Sequence, residues 1–284
     1  MELPWPVIRS GAVVVRGERS LFRRVLAAVA VLMWSTTSAF AAGAGDYYFW
    51  RPAARDGAPR PWAVLLPGTS GLSIFNDHEH YFRAAVWLNQ HGVDALVIDY
   101  HGASALVPAA KEGTPGDRIA AVVADALVSE RGEGRMQGFC PGAVIGWALG
   151  GSGAWAIAQT EPIDPALKAV AMFYPALLRA RPYRNVLPAL VLQGSADDVL
   201  PERELRGFVE GRSGRSAPVE IVAFKGAAHG FDVPSLMPPR TLRFPPLTGQ
   251  PQNFAYDQEA AEAAHQALEK FLREQGVIGA ACAG

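Results

Sequence analysis

Three short motifs match the nucleophile, acid and histidine positions of a nucleophilic hydrolysis site. The first, GWALG at Gly146–Gly150, has the pattern of a nucleophile elbow, in which two glycines let a strand turn sharply into a helix and expose the central residue. Here the central residue is Ala148, which has no nucleophilic atom. The second motif contains Asp197 and the third His229. The order along the chain is therefore nucleophile position, acid and histidine, as in hydrolases that carry such an elbow.

A glycine-rich loop at Pro67–Gly71 is a candidate oxyanion hole. The loop follows a predicted strand, and the N–H of Thr69 or Ser70 would join the N–H of Leu149 in pointing at a substrate oxygen. Two such donors, aimed at an oxygen that becomes negative, are commonly the largest contribution to catalysis.

Cys140 is an alternative nucleophile that the surrounding residues argue against. The segment GFCPG at residues 138–142 imitates an elbow with cysteine at its centre. However, Pro141 has no N–H to donate to an oxyanion, and a strand rather than a helix follows it. Ser152 stands one helical turn beyond the elbow and would face the wrong way. We therefore predict that neither residue replaces the missing nucleophile.

Two histidines, His78 and His80, flank Glu79 just before a predicted helix. Histidines at a helix start point in divergent directions, and no cluster of cysteine or carboxylate ligands lies near them in the sequence. We predict that Asp77 caps this helix. Neither a metal nor a cofactor is expected.

Short apolar runs alternate with helical stretches from residue 60 onward. This pattern predicts a mostly parallel sheet with helices on both faces. In such sheets the functional residues gather at the carboxyl ends of the strands, and Ala148, Asp197 and His229 all follow predicted strands closely. The predicted strands are Trp62–Leu66, Ala95–Tyr100, Ala143–Trp147, Leu167–Tyr174, Ala189–Gln193 and Val219–Phe224. The predicted helices are His80–Gln90, Asp117–Ser129, Gly151–Gln159, Glu202–Gly211 and Tyr256–Gln275.

The stretch from Trp62 to Leu272 resembles the dienelactone hydrolase family. The resemblance rests on the elbow, the G-x-x-D-x-x-x-P turn, the G-A-x-H-G-F-D segment and the Y-D-x-x-A-A-x-x-A start of the last helix. It implies an α/β-hydrolase fold and hydrolysis of small esters or lactones by a serine or cysteine. By the same resemblance His229 would be the general base and Asp197 the group that orients it. Asp198 is the second candidate for the acid.

Ala148 leaves three interpretations open: an engineered knockout, a natural loss of the nucleophile, or catalysis by another group. Loss of the nucleophile of a serine triad lowers kcat by about 10⁶. The main expectation is therefore an ester or lactone hydrolase by family that is inactive by the covalent mechanism. The alternative is a non-catalytic periplasmic protein that binds ligands in a hydrolase pocket. A third possible function, that of an exported peptidase, has no sequence feature in its favour.

Residues 1–41 have the pattern of a secretory signal peptide. Arginines precede an apolar run at Val25–Trp34, and Ala39, Phe40 and Ala41 form an A-x-A cleavage site. The apolar run is shorter than the roughly 20 residues that span a membrane. We expect cleavage of this leader, no stable membrane anchor afterwards, one domain at 42–284, and an exported protein, periplasmic or secreted.

The composition points to a small-molecule substrate rather than a nucleic acid. The chain is 50% hydrophobic and 19% charged, with a formal net charge of −1. The densest group of basic residues lies in the leader, so the expected domain carries no basic binding stripe. The oligomeric state is left open.

Two further features concern the end of the chain. Cys140 and Cys282 are the only cysteines; they would pair in an oxidising compartment if their Cα atoms lie close enough, and otherwise remain free thiols. The proline-rich segment Val233–Asn253 is predicted to form one pocket wall, with Met237 and Phe244 as its apolar contacts.

Overall fold

The central sheet has seven strands. They are β1 (Tyr48–Arg51), β2 (Trp62–Leu66), β3 (Asp94–Ile98), β4 (Gly142–Trp147), β5 (Leu167–Phe173), β6 (Ala189–Gly194) and β7 (Val219–Phe224). In the computed structural model, which describes residues 42–177, 179–243, 250–279 and 281–282, their order is β1-β3-β2-β4-β5-β6-β7. Every neighbouring pair is parallel except β1 and β3. The predicted mostly parallel sheet is confirmed.

Helices cover both faces of this sheet. The α-helices of the described residues are α1 (His80–Gln90), α2 (Tyr100–Ala103), α3 (Pro115–Gly132), α4 (Leu149–Gln159), α5 (Glu202–Glu210) and α6 (Gln258–Glu274). Helices α1 and α6 contribute to one apolar cluster, and α3, α4 and α5 contribute to another. Within β2, Ala63 and Leu65 belong to the first cluster, whereas Val64 and Leu66 belong to the second. The strand is apolar throughout because it is buried on both sides.

Several element ends differ from the prediction for local reasons. Helix α3 begins at Pro115 because Thr114 caps it: the Thr114 hydroxyl accepts the N–H of Asp117 at 3.2 Å, and the Asp117 carboxylate accepts the N–H of Thr114 at 2.8 Å. The prediction that Asp77 caps α1 is wrong. Glu79 occupies the cap position, and Asp77 instead accepts the N–H of Glu79 at 3.0 Å and pairs with Arg83.

Three strands were not predicted. β1 is a short edge strand, and β8 (Arg240–Arg243) and β9 (Pro251–Phe254) form an antiparallel hairpin inside the proline-rich segment. Phe244 lies outside the described residues, as does the leader predicted for residues 1–41. None of the described helices is both long and apolar enough to cross a membrane.

A disulfide joins Cys140 to Cys282, with the two Cα atoms 4.5 Å apart. This settles the alternative between a bridge and free thiols. It attaches the end of the chain to the loop before β4, where the indole of Trp62 also donates to the carbonyl of Cys140 at 3.0 Å. A cysteine held in this bridge has no free thiolate, so the structure agrees with the argument against Cys140 as a nucleophile.

Candidate active site

Ala148 lies in the turn between β4 and α4 with a backbone that side chains rarely adopt. Its φ is 46° and its ψ is −111°, and a non-glycine residue in such a conformation costs about 1–3 kcal/mol. The surrounding backbone holds it there. The N–H of Ala148 donates to the carbonyl of Phe173 at 3.0 Å, and its carbonyl accepts from Gly151 at 3.0 Å and from Ala176 at 2.9 Å.

The two glycines of the elbow are required by close backbone contacts. A Cβ atom on Gly146 would lie 2.3 Å from the carbonyl oxygen of Gly150, and one on Gly150 would lie 2.2 Å from that of Leu66. Both separations are far below van der Waals contact, so only glycine fits. The elbow therefore has its full geometry around a residue that lacks a hydroxyl or a thiol.

His229 and Asp197 form a buried hydrogen-bonded pair. Nδ1 of His229 lies 2.9 Å from Oδ2 of Asp197. The other carboxylate oxygen of Asp197 accepts the N–H groups of Val199 at 2.8 Å and Leu200 at 3.2 Å, which fixes the carboxylate in the turn after β6. An aspartate at Nδ1 places the proton on that nitrogen, and Nε2 is then the basic atom of the ring.

Asp198, the second candidate for the acid, has a different role. Its carboxylate accepts the backbone N–H of Asn253 at 3.1 Å and the Asn253 side-chain amide at 3.0 Å. It therefore holds β9 against the turn after β6. His229 bonds to Asp197 and not to Asp198.

The loop at Gly68–Gly71 borders the same cavity as Ala148 and His229. Two buried tyrosines hold the start of this loop: the N–H of Gly68 donates to the hydroxyl of Tyr81 at 2.8 Å, and the hydroxyl of Tyr100 donates to the carbonyl of Pro67 at 3.0 Å.

The N–H groups of Thr69 and Leu149 have no acceptor within the described residues. They remain available to donate to a ligand oxygen. Thr69 and Ser70 both line the cavity, and they remain equal candidates for the second donor.

Comparison with known families gives this geometry a context. Residues 119–276 match the model of the Dienelactone hydrolase family, and this range contains the elbow, Asp197 and His229. The chain belongs to the dienelactone hydrolase family. No curated protein sequence matches it.

Solved structures support the fold of this dienelactone hydrolase family member. A thermophilic esterase from Thermogutta terrifontis superposes with a TM-score of 0.58 at 18% identity, over 82% of this chain and 88% of that chain. A dienelactone hydrolase-like promiscuous phosphotriesterase from metagenomic libraries superposes with a TM-score of 0.58 at 23% identity, over 80% of this chain and 91% of that chain. The prediction of an α/β-hydrolase fold is confirmed.

The cavity at Ala148 is small and mostly apolar in this family member. Its volume is about 60 Å³. The residues that line it are Gly68, Thr69, Ser70, Ile74, Phe75, Ala148, Tyr174, Ala176, Val199, His229, Gly230 and Phe254. Phe254 contacts the ring of His229 with centroids 5.3 Å apart, and Phe75 contacts Phe254 at 5.3 Å.

None of the described residues of the proline-rich segment Val233–Asn253 lines this cavity, so the prediction of a pocket wall there is wrong for them. Phe254, one residue past the predicted segment, forms the wall. Met237 is instead 68% exposed and does not line this cavity. Ser152 does not line it either, as its position in α4 predicted.

A buried polar network behind the elbow was missed at the sequence level. Asp232 accepts the indole N–H of Trp147 at 2.7 Å and the hydroxyl of Tyr174 at 2.5 Å. Burial raises the pKa of Tyr174, so its hydroxyl stays protonated and acts as a donor. The ring of Tyr174 lies 4.6 Å from that of His229. Asp232 therefore holds Trp147, the residue before Ala148, and also Tyr174, whose ring packs against His229.

Proposed function

We propose that this protein recognises small esters or lactones at Ala148 and does not hydrolyse them by the covalent mechanism of its family. The observation that carries the proposal is the strained elbow at Ala148 facing the same cavity as the Asp197–His229 pair. The N–H of Leu149 and a donor from the Gly68–Gly71 loop suit a carbonyl oxygen, and this contact needs no nucleophile.

The size of the cavity indicates the acyl part of the ligand. A cavity of about 60 Å³ with apolar walls at Ile74, Val199 and Phe254 suits a short acyl chain. We expect acetyl to butyryl esters, or lactones of similar size, to be preferred over long-chain esters.

A serine at position 148 would complete the hydrolytic mechanism. Its Oγ would attack the ester carbonyl while Nε2 of His229 takes the hydroxyl proton and then passes it to the leaving alcohol. Asp197 holds the imidazole in the required tautomer, and the N–H of Leu149 stabilises the oxyanion. Water, deprotonated by His229, would then release the acid and restore the serine.

The first test is therefore Ala148→Ser, assayed on p-nitrophenyl acetate and butyrate. We expect kcat to rise by at least about 10³-fold over the chain as written, because the triad nucleophile contributes about 10⁶. The gain should disappear in Ala148→Ser/His229→Ala. Comparable activity in the alanine and serine forms would show that the nucleophile assignment is wrong.

Paraoxon provides a second readout of the same variant. The Thermogutta terrifontis esterase 2 is phosphorylated by paraoxon. We expect Ala148→Ser to form one covalent adduct at residue 148 by peptide mass spectrometry, and the chain as written to form none there. An adduct on the alanine form at another residue would locate a different nucleophile.

Ligand binding by the Ala148 protein distinguishes a protein that binds esters from a hydrolase that has lost only its nucleophile. We expect isothermal titration calorimetry to detect γ-butyrolactone or a short ester, with the ligand recovered intact. If the serine variant hydrolyses esters but the alanine form binds none, the binding half of the proposal is wrong and the hydrolase framework stands.

Export is the cellular part of the proposal. The signal-peptide pattern at residues 1–41 supports it, and so does the Cys140–Cys282 disulfide, since such bridges persist in oxidising compartments. Expression with the leader should yield a mature protein outside the cytoplasm that begins at Ala42. An intact leader on a cytoplasmic product would contradict it.

A further inference from the structure

A second cavity lies apart from the one at Ala148, between residues of α1, α6 and the loop after β7. Its volume is about 270 Å³, and it shares no lining residue with the cavity at Ala148. The side chains of His80, Trp147 and Asp232 line it. His80 is 7% exposed, and its Nε2 makes no hydrogen bond within the described residues. A buried polar atom without a partner is costly, so it points to a missing one.

Among the described residues, Asp232 forms no ion pair with a lysine or arginine, and Arg83 attracts its charge only at longer range. The two hydrogen-bond donors to Asp232, Trp147 and Tyr174, are neutral. Nε2 of His80 lies 3.5 Å from Oδ2 of Asp232, but burial lowers the pKa of His80, so the imidazole is neutral at pH 7. Buried charges in proteins are normally paired, and the described ion pairs of Asp232 include no lysine or arginine.

The remaining walls also favour a cation. Arg83 borders the cavity, but its guanidinium is paired with Asp77. Trp87 and Tyr256 present aromatic rings, and Glu262 adds a second carboxylate among the lining residues. The rings give the cavity apolar surface, and the carboxylate favours a cation.

We propose that the second cavity is a binding site for a primary alkylammonium ligand. The ammonium group would donate to Oδ2 of Asp232 and to Nε2 of His80, whose 3.5 Å separation allows one donor group to reach both. The alkyl chain would lie against Trp87 and Tyr256. The volume is below the roughly 300–1,000 Å³ of sites for drug-sized ligands, so the ligand is a small amine. This site does not depend on chemistry at Ala148.

The ligand series that tests the proposal varies charge and hydrogen-bond donors separately. n-Butylammonium chloride is titrated at constant ionic strength, with calorimetry and the fluorescence of the tryptophans as readouts. Neutral n-butanol, tetramethylammonium (which has no N–H) and potassium chloride are the comparisons. We expect saturable binding of butylammonium and at least about 10-fold weaker binding of the others. Equal binding of tetramethylammonium would overturn the hydrogen-bonded site, and no saturable binding of butylammonium would overturn the proposal outright.

Variants then locate the binding. Ala84 lines the cavity from α1, whereas Val86 on the same helix is 55% exposed and does not line it. We expect Ala84→Leu to weaken butylammonium binding at least 10-fold and Val86→Leu to leave it unchanged.

A charge-matched pair extends the test to α6. Glu262→Gln removes a lining carboxylate and should weaken binding, while Glu259→Gln, an exposed residue outside the lining, should not. Asp232→Asn should abolish binding if circular dichroism shows a native fold.

Full binding by folded Ala84→Leu would place the ligand elsewhere and overturn the proposal.

Discussion

Ala148 has no nucleophilic side-chain atom, although its backbone has the strained conformation of a nucleophile elbow. Replacement by glycine removes the strain of the φ of 46°, about 1–3 kcal/mol. It also loses one buried methyl, about 0.8 kcal/mol, and adds unfolded-chain entropy of about 0.4–1 kcal/mol. The net effect lies between about 0.8 kcal/mol of destabilisation and about 1.8 kcal/mol of stabilisation. In urea denaturation we therefore expect Ala148→Gly to lower the free energy of unfolding by less than about 1 kcal/mol, or to raise it.

The matched control for this prediction is Ala154, which is fully buried in the middle of α4. Ala154→Gly loses the same methyl and adds a glycine to a helix interior, so it should cost about 1.5–2 kcal/mol. Equal destabilisation by the two substitutions would mean that the elbow holds no strain at residue 148.

His80 gives the protein a pH-dependent stability. Burial lowers its pKa in the folded state, and the charged or titratable groups around it are Asp232, Asp77, Arg83 and His265. The unfolded chain takes up a proton near the ordinary value of about 6.5 while the folded chain does not, so stability present above that pH is lost as the pH falls. In urea denaturation we expect a loss of up to about 1 kcal/mol between pH 7.5 and 5.5.

His80→Gln isolates this contribution from the other histidines. The variant should show a smaller loss of stability over the same pH interval than the parent chain. Identical pH dependence of the two proteins would exclude His80 as the source.

The catalytic positions could be predicted from sequence because each is tied to a local signal. Asp197 and His229 stand in short motifs just after apolar strands, and parallel strands bring their carboxyl ends together. Tyr81 and Tyr174 carry no such signal, and Asp232 ends the G-A-x-H-G-F-D segment without any local sign of the groups that it contacts. Their hydrogen bonds join residues 13 to 85 positions apart in the chain, and only the folded structure reveals them.

At the scale of elements, long buried segments were predictable and short exposed ones were not. β2 is buried at every position, and its apolar run is unambiguous. β1 has four residues at the sheet edge, and β8 and β9 are four-residue strands in a proline-rich stretch. Their pairing depends on tertiary contacts such as the hydrogen bonds from Asn253 to Asp198. Strands this short and exposed have no clear alternation of apolar residues, so the sequence pattern does not reveal them.

At the scale of the whole molecule, the Cys140–Cys282 bridge closes most of the described chain into one loop. The two cysteines are 142 residues apart in the sequence. Closing so long a loop restricts the unfolded chain, and loss of a native disulfide typically costs about 2–5 kcal/mol. We therefore expect Cys140→Ser/Cys282→Ser to lower the free energy of unfolding by that amount in urea denaturation.

Reduction of the parent chain should reproduce the effect of the double variant. Dithiothreitol should destabilise the parent protein by a similar amount and leave the serine variant unchanged, because only the parent has a bond to break. Two titratable thiols in the native, unreduced protein would contradict the bridge. Since the bridge ties the tail to the start of β4 and not to the cavity, we expect Ala148→Ser to keep its esterase activity in the serine background at temperatures where that protein remains folded.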